Sequence, residues 1–314
     1  MHSRYLDIVR LLIDAAPFVF SEKCFALKGG TAINLFVEEM PRLSVDIDLV
    51  FTDLSCPDRE SALAAIEQAL HRIAHLLESK LRVTVRPTTS GSDHESKLFV
   101  SRGSVLLKIE VNHVFRGAVY PVVNGSLSMY AQNRFARELT VPMLDPDELY
   151  ASKLVAALDR QHPRDLFDVM LLLVDRGITP RIRRAFTVYL AGHNRPIHEL
   201  LSPHAKDIKA EFESDFAGMT EQEVTLEQLL ATREELFRTL PSALDEAERE
   251  FLLAVNRREP SGELLGLPGI EQLPAIRWKL MNLNMLAQKN ARKYRTVVDS
   301  LQQVFAQTAP GNLG

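Results

Sequence analysis

Two short apolar runs near the N-terminus constrain the fold of this chain most. The run at 24–28 leads into a Gly-Gly-Thr turn at 29–31, and the run at 45–51 carries Asp46 and Asp48. Both runs have the length and composition of buried strands. Because side chains at i and i+2 of a strand point to the same face, we predict that Asp46 and Asp48 lie side by side, with their apolar neighbours in the core.

The chemistry of this pair points to a metal ion. Two neighbouring carboxylates repel each other unless a cation lies between them, and oxygen-only ligands favour Mg²⁺ or Mn²⁺. Glycines in the preceding turn allow backbone amides to approach a phosphate closely. The turn lacks the Gly-Lys-Ser/Thr ending of a P-loop, which disfavours ATPase chemistry of that type. The combination therefore predicts phosphoryl or nucleotidyl transfer.

The order of these motifs, with Arg42-x-Ser44 just before the acids, resembles the polymerase-β-like nucleotidyltransferase superfamily. Within it, the segment from Arg42 to Leu49 is similar to the AbiEii/AbiGii family of toxin nucleotidyltransferases. The resemblance implies an α+β fold, with a core of a small mixed sheet and flanking helices followed by a mostly helical C-terminal region. It also implies an NTP substrate, Mg²⁺ or Mn²⁺, an RNA acceptor (the 3′ end of a tRNA) and a cognate antitoxin in a toxin–antitoxin or phage-defence system.

Glu110 is the candidate for a third carboxylate. It lies within the apolar run 106–112, where a buried carboxylate without a partner would be costly. Lys108, two residues earlier on the same face, offers a structural ion pair as the alternative. The resemblance implies that Asp46, Asp48 and Glu110 hold the metal, and that Glu110 helps to activate the incoming hydroxyl.

A second group of polar residues lies further along the chain, at Lys153, Arg164, Asp165 and Asp168. Without reference to any family, these residues have an ordinary structural interpretation. The acids are favourable in the first turn of a helix because of the helix dipole, and Lys153 could be a surface residue. Their spacing, however, is similar to the later motifs of the AbiEii-like family. That similarity implies that Lys153 contacts the triphosphate and that Asp165 supports catalysis or positions Lys153. The implied nucleotide-binding set is Lys28, Gly29, Gly30, Thr31, Ser44, Lys153, Arg164 and Asp168.

The character of the chain changes at Asp145, where Asp145-Pro146 with Glu148 is a strong helix start. We predict a nucleotidyltransferase core at 1–144 and a helical domain at 145–314 that completes the active-site cleft. The core is predicted to have helices at 5–20, 31–37 and 58–79, and strands at 24–28, 45–51, 81–86, 97–102, 105–113 and 139–143. The clearest helices after Asp145 are predicted at 146–158, 163–175, 180–192, 226–239, 242–256 and 274–305.

The charge composition limits how this protein can bind nucleic acid. The net charge of −4 argues against a surface that binds nucleic acid throughout, but leaves room for a local basic groove. One basic stretch is a candidate path for nucleic acid or an ordinary helical surface, and Trp278 within it suits either base stacking or a core. The stretch contains Arg277, Lys279, Lys289, Arg292, Lys293 and Arg295.

Only two cysteines, no apolar run of membrane-spanning length and no signal-peptide pattern favour a cytoplasmic protein. Two alternative functions stay open: a nucleotidyltransferase acting on a protein hydroxyl or a small molecule, and a catalytically silent nucleotide-binding protein.

Overall fold

The computed structural model describes residues 3–56, 58–89 and 95–308. These residues form two compact units. The first contains the described residues up to Leu149 together with Phe216–Glu223, and the second contains Tyr150–Asp215 and the described residues from Val224 onward. The predicted boundary at 144/145 stays a prediction.

The first unit is built on a seven-stranded mixed sheet in the order β3-β4-β5-β2-β1-β7-β6. The pairs β2–β5 and β1–β7 are parallel, and the other neighbours are antiparallel. The strands are β1 (Phe25–Lys28), β2 (Asp46–Phe51), β3 (Thr84–Thr89), β4 (Glu95–Arg102), β5 (Val105–Asn112), β6 (Val123–Ser126) and β7 (Thr140–Met143). The helices are α1 (Ser3–Val19), α2 (Gly29–Ala32, continued by a π-helical turn, Ile33–Val37), α3 (Arg59–Leu81) and α4 (Met129–Phe135).

The core of this unit lies on one face of the central strands. Ile47, Leu49 and Ile109 are fully buried there, and α1 packs on β5 and on α3. Because side chains alternate along a strand, Asp46 and Asp48 point to the opposite, half-exposed face. Burial of the apolar face therefore fixes which face carries the acids.

The second unit is helical. Its helices are α5 (Pro146–Asp159, which begins in the first unit), α6 (Pro163–Asp175), α7 (Pro180–Gly192), α8 (Ile197–Leu201), α9 (Lys209–Glu211), α10 (Leu226–Ala243), α11 (Glu246–Arg257), α12 (Pro274–Lys289) and α13 (Ala291–Gln307). The predicted start of α5 is confirmed, because the Asp145 carboxylate accepts a hydrogen bond from the Asp147 amide at 3.0 Å. In the described parts of the chain, no helix combines the length and apolarity needed to span a membrane.

Several predicted boundaries are wrong, and three of them have a clear local reason. The helix predicted at 58–79 continues to Leu81, so β3 starts only at Thr84, after Arg82 ends the helix in the left-handed conformation (φ 52°). The helix predicted at 242–256 is divided, since α10 runs through Ala243 and Asp245 then caps α11. The helix predicted at 274–305 breaks at Asn290, whose side chain accepts a hydrogen bond from the Lys293 amide at 2.9 Å and starts α13.

Candidate functional site

A row of charged side chains crosses four neighbouring strands of the sheet. Lys97 on β4 pairs with Glu110 on β5, Glu110 with Asp48 on β2, and Asp48 with Lys28 on β1. Directly paired residues share a face of the sheet. The structure therefore places Asp48 and Glu110 side by side between two lysines, and we call these four residues the charged row.

The next position along β2 and β5 pairs Asp46 with Lys108. The Lys108 ammonium lies 2.7 Å from Glu110 Oε2 and 3.9 Å from Asp46 Oδ2, while Lys97 Nζ lies 3.3 Å from Glu110 Oε1. Burial lowers the pKa of Lys108, but the hydrogen bond to Glu110 and the charges of Asp46 and Asp48 outweigh it and raise that pKa. Lys108 is therefore a charged partner of the acids, and the structure contains the Lys108–Glu110 ion pair that the sequence offered as an alternative.

The donor set fits Mg²⁺ or Mn²⁺ through Asp46 and Asp48. Mg²⁺ is commonly held by one or two carboxylates, with substrate phosphates completing the coordination. Within the described ranges, however, no three His, Cys, Asp or Glu side chains are arranged to hold a metal as they stand. Glu110 is engaged by Lys97 and Lys108, so its role as a third metal ligand stays a prediction.

The glycine turn lies directly against this site. Gly29 has a positive φ of 74°, and a Cβ atom there would overlap the Asp48 carboxylate. A Cβ on Gly30 would lie 2.5 Å from a guanidinium nitrogen of Arg42. A side chain at either position would overlap a neighbour, and at Gly29 the turn backbone packs directly against the Asp48 carboxylate.

The polar residues between the turn and β2 join the two segments. The Thr31 hydroxyl lies 2.9 Å from the Ser44 hydroxyl and donates a hydrogen bond to the Asp46 carbonyl. Arg42, only 2% exposed, donates to the Leu43 carbonyl at 3.0 Å. The sequence motif places Arg42 at a fixed spacing before the acids, but it did not predict that the Arg42 guanidinium packs against Gly30.

In the second unit, Lys153 is buried between two acids. Its ammonium lies 2.8 Å from Asp165 Oδ1 and 3.0 Å from Asp168 Oδ2, and Arg160 approaches Asp165 from the exposed side at 2.9 Å. Lys153 is 6% exposed, so the alternative that places it on the surface is wrong. Arg164 is half-buried in the first turn of α6, and its backbone N–H donates a hydrogen bond to Nδ1 of His162.

Asp165 is held in its ionised form. Burial alone would raise its pKa, but the charges of Lys153 and Arg160 and the hydrogen bond from Lys153 lower it well below its usual range. A buried carboxylate and a buried ammonium of this kind are stable only together. Within its own unit, Lys153 is thus ion-paired with both Asp165 and Asp168, and its role stays a prediction.

The basic stretch on α12 and α13 is only partly available to a ligand. Lys279 donates to the carbonyls of His193 and Arg195 at 2.9 and 2.7 Å, and burial lowers its pKa to about 8. The prediction that Lys279 lines a path for nucleic acid is therefore wrong, because its ammonium is used inside the helical unit. Trp278 is half-buried. The exposed members are Arg277, Lys289, Arg292, Lys293 and Arg295.

Comparison with known families decides the relationship. Residues 10–299 match the family described as "Nucleotidyl transferase AbiEii toxin, Type IV TA system". This chain belongs to the AbiEii family. The predictions of an AbiEii-type nucleotidyltransferase and of the α+β fold are thereby confirmed.

A solved structure supports the fold. The chain is similar to MenT4, a nucleotidyltransferase toxin from Mycobacterium tuberculosis H37Rv, with a TM-score of 0.59 and 17% sequence identity. The match covers 90% of this chain and 94% of that chain. No curated protein sequence matches this chain significantly. The family assignment implies an NTP substrate and a cognate antitoxin.

Proposed function

We propose that this AbiEii-family protein transfers a nucleotide from an NTP to a hydroxyl of an RNA acceptor, the 3′ end of a tRNA, and releases pyrophosphate. The carrying observation is the placement of Asp46 and Asp48 on one face of β2, with the Gly29 backbone packed against the Asp48 carboxylate. This arrangement supports the proposal, because paired carboxylates suit a divalent metal and a glycine turn suits a phosphate.

In this reaction the acceptor oxygen attacks the α-phosphorus, the bond to the β-phosphate oxygen breaks, and pyrophosphate leaves with that electron pair. Asp46 and Asp48 would hold Mg²⁺ or Mn²⁺, which would supply charge neutralisation at the α-phosphate and the leaving group. Glu110 accepts the proton of the attacking hydroxyl. The nucleotide phosphates are bound by Lys28 and the backbone of the Gly29-Gly30-Thr31 turn, which Ser44 braces through Thr31.

Lys153 is the second cationic group that we assign to the nucleotide. Ion pairs with Asp165 and Asp168 hold the Lys153 ammonium in one position, which suits a lysine that binds a phosphate. Arg164 and Asp168 belong to the same proposed nucleotide-binding set. Family membership supports these roles, since the spacing of Lys153, Arg164, Asp165 and Asp168 follows the family pattern.

The RNA acceptor is supported by the exposed cations of α12 and α13, which contrast with the net charge of −4. We also place the protein in the cytoplasm, where tRNA is available, with a cognate antitoxin as its partner and phage defence as one setting for the pair.

The test is incubation of the purified protein with each labelled NTP in turn, Mg²⁺ and total RNA. We expect label from one preferred nucleotide on RNA of tRNA size, its loss with EDTA, and its loss in the Asp48→Asn variant. Label on a protein or small molecule with RNA untouched would favour the first alternative function. Binding of NTP without any labelled product would favour the catalytically silent alternative.

A further inference from the structure

The Lys108 ammonium lies beside the carboxylates to which we assign the metal ion. Its ammonium lies 2.7 Å from Glu110 and 3.9 Å from Asp46, on the face of β2 that carries both aspartates. Its side chain is 32% exposed, so the ammonium stands at the edge of the site and not deep in the core.

A divalent ion on Asp46 and the Lys108 ammonium compete for the same carboxylate oxygens. Two cations beside the same carboxylate repel each other, and a partly buried site screens that repulsion less than bulk water does. Binding of one cation therefore disfavours the other. The lysine has a flexible four-carbon stem and three donors, so its ammonium is able to move to another oxygen acceptor at low cost.

We propose that Lys108 is the built-in counter-ion of the Asp46–Glu110 site, and that it is exchanged for the divalent metal when nucleotide binds. In the ligand-free protein it neutralises the acids. When the metal arrives with the nucleotide, the ammonium moves from Asp46 and Glu110 to the incoming phosphate oxygens. The proposal rests on the proposed metal role of Asp46 and Asp48.

Replacement of the Lys108 ammonium by the metal predicts a coupling between metal and nucleotide binding, which a purely structural ion pair would not produce. Metal alone has to displace Lys108 without compensation, whereas metal with NTP brings phosphates that accept the displaced ammonium. The protein therefore binds metal weakly in the absence of nucleotide, and metal and NTP strengthen each other's binding. The same step frees Glu110 Oε2 for the acceptor hydroxyl, while Lys97 stays at Glu110 Oε1.

The test measures Mn²⁺ binding to the nucleotide-free protein by calorimetry and by electron paramagnetic resonance. For Lys108→Met we expect Mn²⁺ to bind about tenfold more tightly than to the wild type, a change of about 1.4 kcal/mol. Lys97→Met is the matched control, because Lys97 carries the same charge on the neighbouring strand and contacts Glu110 at 3.3 Å. Its Mn²⁺ affinity is expected to change less than threefold. The double variant Asp46→Asn/Lys108→Met should lose the added affinity.

Binding of a non-hydrolysable NTP analogue with Mn²⁺ supplies the second measurement. The Lys108→Met variant should show a smaller mutual strengthening of metal and nucleotide than the wild type. If Lys108→Met folds poorly, Lys108→Gln serves in its place and the same gain in Mn²⁺ affinity is expected.

Equal Mn²⁺ affinity in the wild type and the Lys108 variants, or an equal gain in Lys97→Met, would overturn the exchange. An absence of Mn²⁺ binding in every variant would overturn it as well. A nucleotide transfer that needs a divalent metal, found together with any of these results, would leave the proposed function standing. Transfer that persists in EDTA would remove the metal role itself.

Discussion

At the scale of single residues, Asp48 has neighbours on three sides. Its strand partners are Lys28 on β1 and Glu110 on β5, and the Gly29 backbone packs against its carboxylate. Asp48 is therefore the residue at which the proposed metal role is tested most directly.

The first prediction concerns this carboxylate. Asp48→Asn keeps the shape of the side chain and removes its charge, so transfer should fall at least about a hundredfold, because charge stabilisation by a bound metal supplies several kcal/mol. The melting temperature of the metal-free protein should stay unchanged or rise, since the substitution removes repulsion between carboxylates. Labelled-NTP transfer and thermal unfolding measure the two effects.

Glu67→Gln on α3, where the side chain is 58% exposed, is the control and should leave both transfer and melting temperature unchanged. Near-wild-type transfer in Asp48→Asn would remove Asp48 from the mechanism.

The second prediction concerns the buried acid beside Lys153. Asp165→Asn leaves part of the Lys153 charge without compensation, so the free energy of unfolding at pH 7 should fall by about 3 kcal/mol. Because the pKa of Asp165 is depressed in the folded state, its contribution is complete above pH ~4, where the unfolded carboxyl is also ionised. The contribution is lost as the pH falls below that value.

Urea denaturation of wild type and variant should therefore show a difference at pH 7 that narrows below pH ~4. Asp175→Asn, at the exposed end of the same helix with a side chain 65% exposed, should differ from the wild type by less than about 0.5 kcal/mol. A difference for Asp165→Asn that does not depend on pH would contradict the assigned cause.

At the scale of elements, the turn from β1 to α2 depends on glycine for two separable reasons. Gly29 needs a left-handed backbone, and it also leaves no room for a Cβ beside Asp48. Gly103, in the turn between β4 and β5, has a similar positive φ of 60° but open space around it. The chain thus contains its own control.

The third prediction compares alanine at these two positions. Both Gly29→Ala and Gly103→Ala should lower the free energy of unfolding by about 1 kcal/mol or more, because a left-handed conformation strains an L-residue. Only Gly29→Ala should also displace the Asp48 carboxylate and reduce nucleotide transfer, by at least about tenfold. Thermal unfolding and transfer kinetics on both variants make the comparison. Equal activity of the two would show that the close approach to Asp48 is not needed.

At the scale of the whole molecule, charge is unevenly distributed. The net charge is −4, yet Lys289, Arg292 and Lys293 are all exposed on one short stretch at the junction of α12 and α13. A local cluster of cations in an acidic protein suits binding to a polyanion, whereas a generally basic surface would bind nucleic acids everywhere.

The fourth prediction tests that cluster. Replacing Lys289, Arg292 and Lys293 together by Gln should weaken RNA binding and flatten its salt dependence, with the slope of log K against log salt reduced by up to about 2. NTP binding should stay the same. A matched variant that replaces the exposed Lys23, Lys80 and Arg86 of the first unit should leave RNA binding nearly unchanged. An equal loss in both variants would indicate a general charge effect and no dedicated path.

Features that follow from local periodicity were predictable from the sequence. Alternation along 45–51 placed Asp46 and Asp48 on one face, the paired glycines marked the turn, and Asp145-Pro146 marked the start of α5. Each depends on residues within a few positions of one another, so local rules suffice.

Contacts between residues far apart in the sequence became visible only in the folded protein. The parallel pairing of β2 with β5 brought Glu110 opposite Asp48 and placed Lys108 beside Asp46. Burial turned Lys153 from a candidate surface residue into the centre of an ion cluster, and turned Lys279 inward to the carbonyls of His193 and Arg195. Strand register and burial depend on the packing of segments far apart in the chain, and the spacing of residues along the sequence does not contain that information.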